Sequence, residues 1–438
     1  MPRTRAALRS SAVAGVLIAA VSGSLSSQQQ RSDTTVRMAS RPVHAGVATL
    51  VPEISIGELD GAEEYLFGQI ADLTVARDGS IYLFDRQVPA LRKYDVNGKF
   101  VKTFGRKGQG PGEYLSGGGL GVLPDGRVLL WDTGNWRINV YSPAGELLTH
   151  WATPSGMGGN VTVVTQQSLL VDTAGFVYLR QNIRPARVEG QPLGAGRQVW
   201  IKRKADGTVV DTVESPRFDH TPRTLSATLN SAGGSASSSA NVPFDPQADW
   251  AISPHGYIIS GFPQRYAFEI VRSGQPIVSI RREIKADPVS AAEKKEARDR
   301  IETNMRRTDP KWSWNGPDIP GVKPFYVDLL VGQDGRIWVA RNGTTAAGGF
   351  SSTTSGGGSV GASRPRPQDS DRSRITGRST PPASPVLYDL FEPNGVYVGQ
   401  LQVPARTTLY ARRGDHAWGV VYDDDDVATV KRFRIAWR

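Results

Sequence analysis

No cysteine occurs in the 438 residues. This excludes disulfides, thiolate metal sites, a cysteine nucleophile and a lipid-modified N-terminal cysteine. Histidine is nearly as scarce. The five, His44, His150, His220, His255 and His416, fall in separate segments, so a multi-histidine metal centre is not expected. No His-Glu-x-x-His helix occurs, and no catalytic triad is visible. No apolar run reaches the roughly 18 residues that span a bilayer. What is abundant is turn formers: 48 Gly and 29 Pro, with 39% hydrophobic and 21% charged residues. That is globular composition, biased toward turn-rich β structure rather than a helix bundle.

The N-terminus has the order of a secretory signal. Arg3, Arg5 and Arg9 form a basic region, residues 12–21 (AVAGVLIAAV) an apolar one, and residues 22–27 a zone of mostly small residues. The expected organisation is a signal peptide at 1–27, an N-terminal segment at 28–50 and a folded body at 51–438, in a protein exported to the periplasm or beyond. Removing the signal's three Arg lowers the formal charge from +10 to +7. A basic balance suits anionic partners such as lipid headgroups or polysaccharide, or is simply a dispersed basic surface. Nucleic acid is not expected for an exported chain.

Internal repeats organise the rest. LTVARDGSIYLFD (73–85), LGVLPDGRVLLWD (120–132), LLVDTAGFVYLR (169–180), WAISPHGYIIS (250–260), LLVGQDGRIWVAR (329–341) and LYARRGDHAWGVVYD (409–423) each set two short strands around a turn glycine. A second hairpin follows in the first five, most clearly in ALRKYDVNGKFVKTF (90–104) and RINVYSPAGELLTHW (137–151). Each copy therefore predicts four antiparallel strands, A to D, which is one propeller blade. The turn glycines Gly79, Gly126, Gly175, Gly256, Gly335 and Gly414 are 47, 49, 81, 79 and 79 residues apart. The shorter spacings match a four-stranded blade and the longer ones carry insertions of about 32 residues. The sixth copy ends after strand C. PEISIG (52–57) precedes the first blade in the place of a strand D, and Gly61-x-x-Glu64-Tyr65-Leu66 repeats as Gly110-x-x-Glu113-Tyr114-Leu115. Residues 52–57 are therefore expected to complete the sixth blade, since an open blade edge would expose unpaired backbone groups.

The Gly105-x-x-Gly108-x-Gly110-Pro111-Gly112-Glu113-Tyr114 loop, with the Asp125-Gly126, Asn97-Gly98 and Ala144-Gly145 turns, resembles six-bladed β-propellers of the NHL-repeat type found in exported bacterial proteins. The resemblance implies an all-β fold: a six-bladed propeller of four-stranded antiparallel blades, expected to be monomeric. Fold alone does not supply function.

Chain direction then separates two faces. A–B and C–D turns are short and share one face; every long connection is B–C or D–A and lies on the other, where a site is expected. Residues 230–241 and 343–384 are Ser/Gly/Thr/Pro-rich and read as disordered insertions. Residues 287–307 read as one amphipathic helix, with a Ser290/Glu293 capping box and Ala297, Ile301 and Met305 on one face. Trp312 and Trp314 follow, placed either as an aromatic lid over the funnel or as loop packing.

Candidate site residues stand at the ends of strand B and in the D–A loops. Asp85, Asp132 and Asn135 are the polar funnel candidates, Arg180 and Arg341 the cationic ones, and Trp312 and Trp314 the aromatic ones. Arg forks suit carboxylate or phosphate, and Trp offers a stacking face. The expected function is non-catalytic binding of a small molecule or envelope protein, with no cofactor. The alternative is a metal-assisted hydrolase or lyase of the lactonase-like six-bladed type. It would hold Ca²⁺ through oxygen ligands such as Asp423 and Asp424, with Asp85, Asp132, Asn135, Asn182 and Asn342 also eligible. The mixed charge of the funnel suits a polar organic ligand better than a bare ion.

Overall fold

The six turn glycines adopt left-handed backbone, with φ between 58° and 87°. The strands on either side pair across them, as Val75 with Ile81 and Val122 with Val128. Only glycine takes that conformation without a Cβ penalty. The aspartate before it adds an Asx-type bond: Asp78 Oδ1 accepts from the Ser80 amide at 2.9 Å and Asp125 Oδ1 from the Arg127 amide at 3.1 Å. This computed structural model describes residues 34–153, 161–163, 169–183, 197–231, 234–341, 350–356 and 382–438. The expected signal peptide, Asn342 and most of the 343–384 insertion lie outside the described residues.

Among the described residues the chain is mostly β with one α-helix, α1 (Ala291–Arg306). The first quartet of strands is Ile70–Val75, Ile81–Asp85, Ala90–Tyr94 and Phe100–Phe104, and the second is Gly117–Val122, Val128–Asp132, Arg137–Tyr141 and Leu147–Ala152. The third group comprises Leu169–Val171, Val177–Ile183, Arg197–Arg203 and Val209–Glu214, with Val161–Val163 against the far end of Val177–Ile183. The fourth is Asp249–Ile252, Ile258–Gly261, Ala267–Val271 and Ile277–Arg281, with Thr34–Met38 added in parallel along its outer edge. An eight-stranded sheet holds the remainder. Asp328–Val331, Ile337–Ala340, Val386–Phe391 and Tyr397–Val403 form one half; Thr407–Arg413, His416–Tyr422, Ala428–Ala436 and Val47–Ile56 form the other. Val47–Ile56 joins the halves, pairing Thr49 with Ala436 and Ile56 with Val430 in antiparallel register while Val47 runs parallel to Gln400. The strand thus begins at Val47, ahead of the expected boundary at 51, and residues 34–38 of the N-terminal segment are also sheet.

Alternation along the strands places apolar side chains between successive groups. Phe84, Phe104, Leu120 and Tyr141 fill the first contact; Trp131, Trp151 and Leu179 the second; Phe268, Ile280, Val339 and Phe391 the contact of the fourth and fifth groups. Trp338, Leu401 and Phe433 lie between the fifth and sixth, and Ile56, Leu83, Trp418 and Val430 between the sixth and first. Each such buried side chain stabilises by about 1.5–3 kcal/mol. The third and fourth groups share a much smaller cluster, Tyr178, Trp200 and Ile252.

The insertions differ from expectation in one respect. Residues 230–241 are not a disordered loop in the described part: Thr224–Ser231 and Gly234–Asn241 form an antiparallel hairpin, and Phe350–Gly356, inside the 343–384 insertion, adds a third strand. The hairpin has almost no large apolar residues of its own, but Leu225, Ala227 and Ala240 pack against Ile301 and Met305 of α1 and against Trp312. The partner that orders it comes from about sixty residues away. The helix carries the capping box, Glu293 N–H donating to Ser290 Oγ at 3.2 Å and Ser290 N–H to Glu293 Oε2 at 2.9 Å.

Removing residues through Gly57 should cost about 5 kcal/mol or more, enough to unfold a marginally stable domain, because the strand between residues 397–403 and 428–436 is lost. Removing residues only through Met38 takes away, of the described sheet, just the exposed edge strand Thr34–Met38 and should shift the thermal midpoint slightly. Circular dichroism melts of the two truncations check this; equal midpoints would show that Val47–Ile56 does not hold the sheets together.

Candidate functional site

One cavity of about 220 Å³ is lined by the first strand of every repeat: Asp72–Val75, Leu120–Val122, Leu169–Val171, Asp249–Ile252, Asp328–Val331 and Tyr410–Arg412. At the tight-turn end it narrows at Gln333, whose Nε2 donates to the Val75 carbonyl at 2.9 Å while its amide donates to the Arg412 carbonyl at 2.7 Å.

Three carboxylates stand at the opposite end, where the first strands begin. Asp72, Asp249 and Asp328 each lie seven residues before the turn glycine of their repeat (Gly79, Gly256, Gly335). The same position in the second repeat is Gly119 and in the sixth Thr407. The recurring spacing is present in the sequence, but these three positions are not among the candidates at the ends of the second strands.

Burial governs their chemistry. Asp72 accepts from the Leu73 amide at 2.9 Å and the Leu120 amide at 2.8 Å, with Arg86 nearby, yet desolvation dominates and pushes its pKa up to about 7. Asp249 and Asp328 are hydrogen-bonded carboxyl to carboxyl, and Asp249 Oδ2 also accepts from the Leu329 amide at 2.5 Å. Desolvation raises both, Asp249 well above the usual range with the Asp328 charge adding to it. Arg180 and Arg412 face this pair electrostatically. Burial lowers both guanidinium pKa values, Asp328 opposing it in each case. Arg412 lies over Trp338 at 5.4 Å and donates from Nη2 to the Leu409 carbonyl at 3.0 Å, and its buried Nε has no hydrogen-bond partner. Arg180 lies over Trp200 at 5.7 Å. The cavity therefore offers forked cationic donors beside a buried carboxyl pair, with Trp250 and Tyr410 also on the wall.

Of the residues singled out from sequence, the cavity lining includes Arg180 and leaves the others elsewhere. Asp85 is fully buried, and its carboxylate accepts from the amides of Gly68 (2.7 Å), Gln69 (3.0 Å) and Gln87 (2.9 Å). Asp132 does the same for Leu115 (3.1 Å) and Ser116 (3.2 Å), and takes the Asn135 amide group at 2.6 Å, while Asn135 Nδ2 also donates to the Gly108 carbonyl. Those oxygens stitch the inter-repeat loop to the end of the second strand. Arg341 sits 3.6 Å from Asp389, a buried carboxylate also held by Arg282 (2.7 Å), Tyr266 (2.6 Å) and Tyr397 (2.8 Å). Trp312 is packed under α1 and donates to the Ser226 carbonyl at 2.7 Å, and Trp314 carries Arg298 over its ring at 4.5 Å, so both tryptophans belong to the helix-and-hairpin layer. Asn182 pairs within the third group. Asp423 Oδ1 accepts from the Asp425 and Val427 amides in an exposed turn that also contains Asp424. Among the described residues no three His, Asp or Glu side chains stand close enough to share one ion.

A family model, DUF5128, described as a 6-bladed beta-propeller, matches residues 37–120. No curated protein matches the chain. Solved structures align along most of its length. A candidate exported protein of Bacteroides fragilis is 10% identical, covering 92% of this chain and 99% of its own, with a TM-score of 0.45. Virginiamycin B lyase from Staphylococcus aureus is 10% identical, with 84% and 95% covered and a TM-score of 0.35. Regucalcin, a calcium-binding protein from Agrobacterium tumefaciens, is 14% identical, with 90% and 97% covered and a TM-score of 0.39. With the family model, the architecture is that of a β-propeller; the low scores say nothing of the site's chemistry.

Two substitutions separate stitching from site. Asp132→Ala leaves several buried donors unpaired and should destabilise by about 3 kcal/mol, read by urea denaturation; a loss below about 0.5 kcal/mol would show the amides find water instead. For Asp72 the folded carboxyl keeps its proton up to about pH 7, whereas the unfolded one releases it near pH 4. The folded state therefore binds the extra proton across that window, and stability falls as pH rises through it. Asp72→Asn should flatten the decline of the melting midpoint between about pH 4 and pH 7; an unchanged slope would mean Asp72 ionises normally.

Proposed function

We propose that the chain is an exported six-bladed β-propeller of the NHL-repeat type. Its six quartets are four-stranded blades, and Val47–Ile56 completes the last. It binds a small polar organic acid on the axis without chemically transforming it. The observation that carries this reading is the convergence of all six first strands on one cavity whose mouth holds Asp72, Asp249 and Asp328 beside Arg180 and Arg412. The two guanidinium groups suit the ligand's carboxylate, and the Asp249–Asp328 pair suits a hydroxyl or ammonium group on the same molecule. At about 220 Å³ the space is below the roughly 300–1,000 Å³ of drug-sized sites, so the ligand is small. Export rests on the order of basic, apolar and small residues before position 28.

The second reading is a metal-assisted hydrolase or lyase. It is favoured by the carboxylates on the axis, which supply oxygen ligands of the kind Ca²⁺ takes; Asp423 and Asp424 lie away from them in a surface turn.

Thermal shift with a panel of small mono- and dicarboxylic acids, amino acids and CaCl₂ tests both. A ligand at a hundredfold its Kd should stabilise by about 2.7 kcal/mol. The shift should disappear in Arg412→Gln and persist in the turn variant Asp125→Ala. A shift with calcium and none with any acid would replace the first reading by the second.

A further inference from the structure

We infer a second binding site, for a carboxylated oligosaccharide, over the face of the fourth strand group that turns toward the third, beside residues 216–218 that follow the third group's last strand. It does not depend on the axial reading. The seam between these two groups differs from the other five contacts in having only three buried apolar side chains, Tyr178, Trp200 and Ile252, with Leu170, Phe176, Val213 and Trp250 half-buried against them. The reason is in the fourth group. Its apolar side chains Ile259, Phe268, Ile270 and Ile280 turn toward the fifth group. Alternation then leaves Ser260, Glu269 and Ser279, which are cross-strand neighbours, on the face toward the third.

A cleft of about 730 Å³ opens over that polar face, within the size range of ligand clefts and well above the axial cavity. Arg217, Arg265 and Arg281 line it and are exposed. Among the described residues none of the three forms an ion pair; the Arg281 Nε contact is to Ser279 Oγ at 3.4 Å. Arg282 also lines the cleft, but its charge is matched by Asp389 at 2.7 Å. Glu269 and Glu283 also line the cleft and are exposed, so the three guanidinium groups exceed the two carboxylates by one charge and leave a net positive field. Phe218, Phe262 and Phe325 supply half-buried rings along the same cleft.

The chemistry selects the ligand. Forked guanidinium groups bind carboxylates two bonds at a time. Aromatic rings take the apolar C–H face of a pyranose. An acidic peptide would normally add as a strand to a free sheet edge, but the outer edge of this sheet is already paired with Thr34–Met38. Side-chain recognition of sugar rings bearing carboxylates is what remains.

Isothermal titration of the full chain with tetragalacturonate tests the site, with maltotetraose and tetraglutamate as the neutral and peptide comparators. Tetragalacturonate should bind in the micromolar range, more weakly as salt rises. Arg265→Ala and Phe218→Ala should each weaken it about tenfold, Arg265→Glu should weaken it further, and Arg412→Gln on the axis should leave it unchanged. These positions are exposed or half-buried, so unchanged melts accompany the loss. Equal binding of maltotetraose overturns the role of the arginines, and equal binding of tetraglutamate overturns the sugar. Binding only at millimolar concentration, or insensitivity to the Arg265 and Phe218 changes, overturns the site.

Discussion

The antiparallel pairing of Val47–Ile56 with Ala428–Ala436 ties the two ends of the folded chain into one sheet, and the same strand touches residues 400–402 at its start. Without it the strand Ala428–Ala436 would present a row of unpaired amides and carbonyls to water, and Ile56 would leave the cluster it shares with Leu83, Trp418 and Val430. Every other group contacts its neighbours in chain order. This pairing carries the N-terminal strand onto the last repeat, and it stands beside direct contacts between the first and last repeats: a shared apolar cluster and the bonds of Arg413 to the Ala76 carbonyl and Tyr410 to the Ile70 carbonyl.

That convergence explains why the axis is chemically unlike the rest of the interior. Residues at the start of the first strands point into a confined space with few backbone donors. A carboxylate there, such as Asp72, is pushed toward its neutral form, and burial pushes Asp249 and Asp328 the same way. Carboxylates at the ends of the second strands meet the opposite situation. Asp85 and Asp132 are equally buried, but loop amides converge on them, and a carboxylate satisfied by several N–H groups is a structural fastener. The same residue type at two places in the repeat serves two purposes because the donors differ.

The layer built from α1, the 224–241 hairpin and residues 350–356 shows a related economy. Small side chains allow helix and hairpin to approach closely, and Trp312 fills the end of the interface with its indole N–H satisfied by Ser226. The fourth group went the other way: on its face toward the third a polar row took the place of an apolar one, and a cleft flanked by arginines lies over it.

Much of this was legible in the residues. Left-handed turn glycines, period-two alternation and the recurring spacing named the hairpins, the order of strands and the N-terminal strand that meets the last repeat, because each is a local backbone requirement. The capping box and the buried stripe Ala297, Ile301 and Met305 were legible for the same reason. The site was less so. Asp72, Asp249 and Asp328 share a position relative to their turn glycines, but nothing local distinguishes an aspartate aimed at an axis from one that closes a loop. Trp312 could be assigned to a lid or to packing until the hairpin beneath it was in place. The Ser- and Gly-rich hairpin read as disordered because the apolar surface that orders it belongs to a distant helix. Local patterns settle strands and turns through short-range sterics; only the tertiary structure decides which buried charge is left short of donors, since those donors come from other repeats.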